Sequence, residues 1–113
     1  MPNLEKHDYT HGVTTVTDQS NSAASVTATV ASDWVKQYGL VAFSGGSTDQ
    51  AYKVEVKIAG VTKITHYGAA GTTAGLSFAA PYVPHTSFNE ALSVVTTPDI
   101  TGKCVANMSY IEY

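Results

Sequence analysis

The stretch AYKVEVKIAGVTKITHY, residues 51–67, decides the fold class. Tyr52, Val54, Val56 and Ile58 share one side of an extended chain while Lys53, Glu55 and Lys57 share the other, because successive strand side chains point to opposite faces. One face is therefore core and the other a solvated, alternating Lys-Glu-Lys face. The run turns over at Ala59-Gly60, where glycine supplies the permissive backbone of a tight turn, and returns from Val61 to Tyr67 with Ile64 and the β-branched Thr62 and Thr65. Two strands joined in this way form a hairpin, and the hairpin needs a second layer to cover its apolar face.

Working outward, similar alternation appears at Ala24–Ala31, where Val26, Ala28 and Val30 oppose Thr27 and Thr29. It recurs at Leu76–Ala80, which would bury Leu76, Phe78 and Ala80, and in EALSVVTT from Glu90, which sets Leu92 with Val94. GKCVANMSYIEY from Gly102 aligns Cys104, Ala106, Met108 and Tyr110, yet Val105, Ile111 and Tyr113 make its other side apolar as well. A strand greasy on both sides belongs at the centre of a sheet or at a subunit contact. With shorter runs at Val13–Thr17 and Gly39–Ser44, about eight strands are expected. FSGGSTDQ, YGAAGTTAG, APYVPHTSFN and TTPDITG, rich in Gly, Pro, Ser, Asn and Asp, read as the turns between them.

This pattern predicts an all-β protein: a single antiparallel β-sandwich of jelly-roll or immunoglobulin-like topology over residues 13–113, preceded by an extended arm at 1–12 that lacks periodicity. SDWVKQYG is the one place where helix competes with strand, since Ser32 or Asp33 can cap a turn that Gly39 ends.

Composition narrows the function. Charged residues are 13% of the 113, against roughly 25% in ordinary domains, and fifteen Thr and ten Ser carry the polarity instead. The net charge is -3, arginine is absent and the six lysines are scattered, so the basic footprint of a nucleic-acid binder is missing. The single cysteine, Cys104, excludes an intramolecular disulfide, and its register with Ala106 and Met108 marks it as a core residue. MPNLEKHDYTHGVTTV has no apolar h-region, and no run is long enough for a membrane helix, so we expect neither a cleaved signal peptide nor a membrane anchor.

Chemistry-bearing constellations are sparse. His7 and His11 have the spacing of a helical metal pair in a segment that favours extended structure. His66 and His85 stand without a nucleophile motif, and the glycine-rich segments match no phosphate-binding loop. We therefore expect no enzyme, no cofactor and no metal. Of the aromatics, Trp34, Tyr38, Tyr82 and Tyr113 fall near turns or the chain end. Tyrosine and tryptophan suit half-dry surfaces, so these residues are either the rim of the core or a contact platform.

The segment from Gly39 to Tyr113 resembles small virion structural proteins of tailed bacteriophages. An apolar strand leads into SGGSTDQ, followed by the lysine-bearing VEVKIAGVTKITHYGAAG, the hydrophobic GLSFAAPY, then ALSVVTT and a closing TGKCVANMSYIEY. The resemblance implies a capsid decoration or accessory subunit, made in the host cytoplasm and located on the virion. It would self-associate and bind the major capsid or tail protein without nucleic acid or membrane. Trp34, Tyr38, Tyr82, Ile111 and Tyr113 are the expected interface, with the arm reaching a neighbour. The rival reading is a glycan- or receptor-binding module in which Tyr82, Asp49 and Asn89 contact a sugar.

Overall fold

In the computed structural model, which describes residues 12–79 and 83–112, the quoted stretch is the hairpin its alternation requires. Strand β4 (Tyr52–Ile58) buries Tyr52, Val54 and Val56 and pairs antiparallel with β5 (Val61–Gly68). Ala59 and Gly60 both take positive φ, 53° and 79°, the signature of a two-residue turn whose twist matches its strands. Lys53, Glu55 and Lys57 lie on the wet face, where Glu55 accepts a hydrogen bond from the Thr62 hydroxyl at 2.9 Å.

Six further strands complete two four-stranded antiparallel sheets: β1 (Thr14–Ala23), β2 (Val26–Val30), β3 (Tyr38–Ser47), β6 (Thr72–Ser77), β7 (Leu92–Pro98) and β8 (Gly102–Glu112). One sheet has the order β1-β8-β3-β6 and the other β2-β7-β4-β5. Apart from the β4–β5 hairpin, consecutive strands lie in different sheets. The chain thus winds back and forth across one core as a jelly roll, which resolves the topology that periodicity left open. Strand β8, apolar on both sides, occupies the central position expected of it, between β1 and β3.

The core fills the space between the sheets with Val26 and Ala28 of β2, Val54 and Val56 of β4, Leu92 and Val94 of β7, and Leu40, Phe43, Ala106 and Met108 of the facing sheet. Cys104 is buried there as a free thiol, and burial pushes its pKa up. At Gly45 the layers approach so closely that a Cβ would lie 2.7 Å from Val54 Cγ2 and would strike the Thr96 hydroxyl. That hydroxyl, fully buried, donates to the Val105 carbonyl at 2.7 Å and so ties β7 to β8 across the sandwich.

Several boundaries differ from the sequence reading. The strand expected at Leu76–Ala80 is β6, Thr72–Ser77, so the second half of YGAAGTTAG is strand rather than turn. Leu76 is exposed and Phe78, past the strand end, is half-buried; Ala80 lies outside the described residues. Strand β3 runs through SGGS to Ser47, because pairing with β6 and β8 on both sides outweighs the poor strand propensity of two glycines. SDWVKQ forms neither helix nor strand but a turn at Trp34-Val35, and Tyr38 and Gly39 already belong to β3. The arm proposed for 1–12 lies outside the described residues except for Gly12.

Candidate functional site

The residues singled out as an interface separate into three groups. Trp34 is 79% exposed. Tyr38 and Ile111 are 3% and 1% exposed, so neither offers a surface. Tyr82 and Tyr113 lie outside the described residues.

Tyr38 was expected at the rim because it follows a turn, but it opens β3 and points inward. Its ring meets Tyr110 edge-on at 5.5 Å and its hydroxyl donates to the Ala31 carbonyl at 3.1 Å. Burial pushes its phenol pKa upward. Its backbone is clamped as well: the Tyr38 N–H donates to the fully buried Thr86 hydroxyl, and the Thr86 N–H returns a bond to the Tyr38 carbonyl, both at 2.9 Å. Ile111 pairs with Gly39 at a position that alternation places opposite the Cys104–Tyr110 face, yet it is covered there too.

These anchors hold a tip at the end of the sandwich. Asp33 organises it: its carboxylate accepts from the Val35 N–H at 2.9 Å, and its carbonyl accepts from the N–H groups of Lys36 at 3.4 Å and Asn89 at 2.8 Å. The turn is therefore bonded to the following loop, where Asn89 takes a positive φ of 59° and Glu90 accepts from the Ser87 N–H at 2.7 Å. Lys36 reaches Glu112 at 3.5 Å, and the carboxylate raises the lysine pKa. Held this way, Trp34 and Val35 (76% exposed) project beside the loop carrying Phe88 (56% exposed). The sequence reading missed Val35 and Phe88. The available signal was an aromatic between Ser87 and Asn89 in a loop too polar to need it for packing.

A second surface is the outer face of the β1-β8-β3-β6 sheet. Register sets Thr17, Asn107, Ser44 and Gly75 in one row across it, flanked by rows beginning Thr15-Ser109 and Gln19-Val105. The Thr17 hydroxyl donates to Asn107 Oδ1 at 2.7 Å, and Asn107 Nδ2 donates to the Ser44 hydroxyl at 3.2 Å. A shallow groove of about 520 Å³ crosses this uncharged face along Ser44, Gly75, Leu76 and Asn107.

Other expected participants are occupied structurally. Asp49 accepts from the Ser47 hydroxyl and the Lys103 N–H at 3.1 and 3.0 Å, locking the β3–β4 loop. That loop is at the opposite end from Asn89, so the sugar site suggested by Asp49 and Asn89 does not assemble. The His66 ring packs edge-on against Phe43 at 5.6 Å, and His85 Nδ1 lies 3.1 Å from the Thr86 carbonyl. His7 and His11 lie outside the described residues. Among the described residues no group of three His, Cys, Asp or Glu side chains is placed to hold a metal ion.

No protein-family model matches the chain, and no curated protein matches its sequence. Solved structures do resemble it. The first CBM36 domain of a multidomain xylanase from the hindgut metagenome of Trinervitermes trinervoides aligns over 89% of this chain and 95% of that one, at 21% identity and a TM-score of 0.46. The mosquito-larvicidal Cry4Aa toxin of Bacillus thuringiensis aligns over 93% of this chain and 24% of that one, at 11% identity and a TM-score of 0.50. The coat protein of Tobacco streak virus aligns over 99% and 87%, at 7% identity and a TM-score of 0.44. What is shared at these identities is a β-sandwich, and the chain is a β-sandwich protein.

Proposed function

We propose that the chain is a non-enzymatic structural subunit of a virion, a capsid decoration protein of a tailed bacteriophage, that grips a capsid protein through the Trp34 end. The observation that carries this reading is the pinned apolar tip, where Trp34 and Val35 stand exposed beside Phe88 on loops bonded to each other and to the core. Exposed tryptophan costs solvation, and a turn fixed by three hydrogen bonds to Asp33 loses little further entropy on docking, so the tip is preorganised for burial in a partner pocket. Mixing the protein with capsids stripped of accessory subunits tests this. Saturable binding at a fixed copy number supports it, and no binding at micromolar concentration rejects it.

A second reading has its own observation. The uncharged hydroxyl and amide rows over the outer groove suit a neutral glycan, whose hydroxyls exchange hydrogen bonds with Asn107 and Ser44. Glycan-array binding that is lost in Asn107→Ala and kept in Trp34→Ala would favour it over the capsid reading.

A further inference from the structure

Each sheet of an open sandwich ends in strands with unpaired backbone groups, and proteins ordinarily guard such edges with charge, bulges or brevity. Three of the four edges here are guarded. Strand β1 carries Asp18 on its core-side register, opposite Ala106, with the carboxylate accepting from the Thr27 N–H at 3.0 Å, and its register breaks between Ser20 and Ala23. Strand β2 has only five residues. Strand β5 carries Lys63 at an irregularity in its pairing with β4. Strand β6, Thr72-Thr73-Ala74-Gly75-Leu76-Ser77, has no charge, no proline and an unbroken register with β3.

The phase of the β3–β6 ladder identifies its free groups. The Phe78 N–H donates to the Val41 carbonyl at 2.8 Å, so by the two-residue period Leu76 and Ala74 also direct their backbone groups at β3. Thr73, Gly75 and Ser77 then aim theirs away from the sheet. Antiparallel pairing of this strand with itself about Gly75 sets Thr73 opposite Ser77 of a second copy and Ser77 opposite Thr73, a hydroxyl pair on each side of the axis. On the other face it sets Leu76, 44% exposed, opposite Ala74 of the second copy. Every position meets a compatible one, no like charges meet, and about six backbone hydrogen bonds form.

We propose that β6 is a self-complementary edge through which two copies of this chain pair antiparallel about Gly75, joining their four-stranded sheets into one across a two-fold axis. This contact uses different residues from the Trp34 tip and goes beyond the capsid reading.

Sedimentation equilibrium on the full chain should give twice the 11.9 kDa monomer mass at micromolar or higher concentration. The register supplies a charge test on exposed side chains that leaves the fold alone. Thr73→Lys with Ser77→Lys places lysines opposite each other and should give a monomer. Thr73→Lys with Ser77→Glu places opposite charges together and should restore the dimer, while Trp34→Ala should leave it unchanged. Slow amide exchange at Gly75 in the dimer, lost in the double-lysine variant while its circular dichroism spectrum stays that of the parent, would place the contact directly. A monomeric parent at every concentration tested, a dimer that survives both lysines, or loss of the dimer in the lysine–glutamate variant would each overturn the proposal.

Discussion

Replacing Trp34 with alanine should separate binding from folding. A tryptophan side chain presents about 250 Å², so at 79% exposure about 200 Å² of Trp34 awaits cover. At ~25 cal/mol per Å² complete burial against a partner is worth about 5 kcal/mol, of which ordering and polar desolvation take a share. A loss near 3 kcal/mol, or about 150-fold in Kd, is expected for capsid binding by Trp34→Ala. The native fold should scarcely notice, since the ring is mostly in water, and stability should stay within about 0.5 kcal/mol of the parent. Tyr38→Ala, only four residues on, reverses the pattern: removing a buried ring that packs on Tyr110 should cost about 4 kcal/mol of stability. Titrating stripped capsids with labelled protein, alongside urea denaturation of all three proteins, measures both quantities. Undiminished binding by Trp34→Ala, or a stability loss as large as that of Tyr38→Ala, would refute the account of the tip.

Further outcomes follow from the packing. Gly45→Ala should destabilise by about 3 kcal/mol, because the new methyl overpacks the space against Val54 and disturbs the Thr96 bond to Val105; Gly60→Ala, with open space around it but a positive φ, should lose only about 1 kcal/mol, and denaturant melts compare the two. Cys104 should resist a thiol reagent in the native protein and react at one thiol per chain in denaturant. Burial raises the folded-state pKa of both Cys104 and Tyr38, so each favours folding at pH below its unfolded value and withdraws that contribution as pH rises through its folded one. Stability should therefore decline above about pH 8.5 and again above about pH 10. Cys104→Ala should remove the first decline and Tyr38→Phe the second, measured as melting temperature against pH.

The candidate site was only partly legible. Trp34 was recognisable because a large aromatic in a turn signal has no strand neighbour to pack on. Tyr38 carries the same local signal, yet it is a core anchor, because the fully buried Thr86, distant in sequence, fixes the first residue of β3 with its side chain inward. Ile111, expected at a contact on the second apolar side of the last strand, is covered within the fold itself. The polar rows on the outer sheet were invisible before pairing was known, since Thr17, Ser44 and Asn107 meet only through the register of β1, β3 and β8.

What the sequence by itself determined was the two-layer class: alternation in β2, β4, β7 and β8 fixes which side chains leave water, and Ala59-Gly60 fixes the one hairpin. Those signals act within a few residues, through the pleat and the turn. Only the tertiary structure decided which strands lie side by side, that β6 begins at Thr72 inside an expected turn, and that no strand among the described residues pairs with its outer edge. Strand order depends on pairings between distant segments, where the free energy comes from shared core surface and backbone bonds that no local stretch specifies.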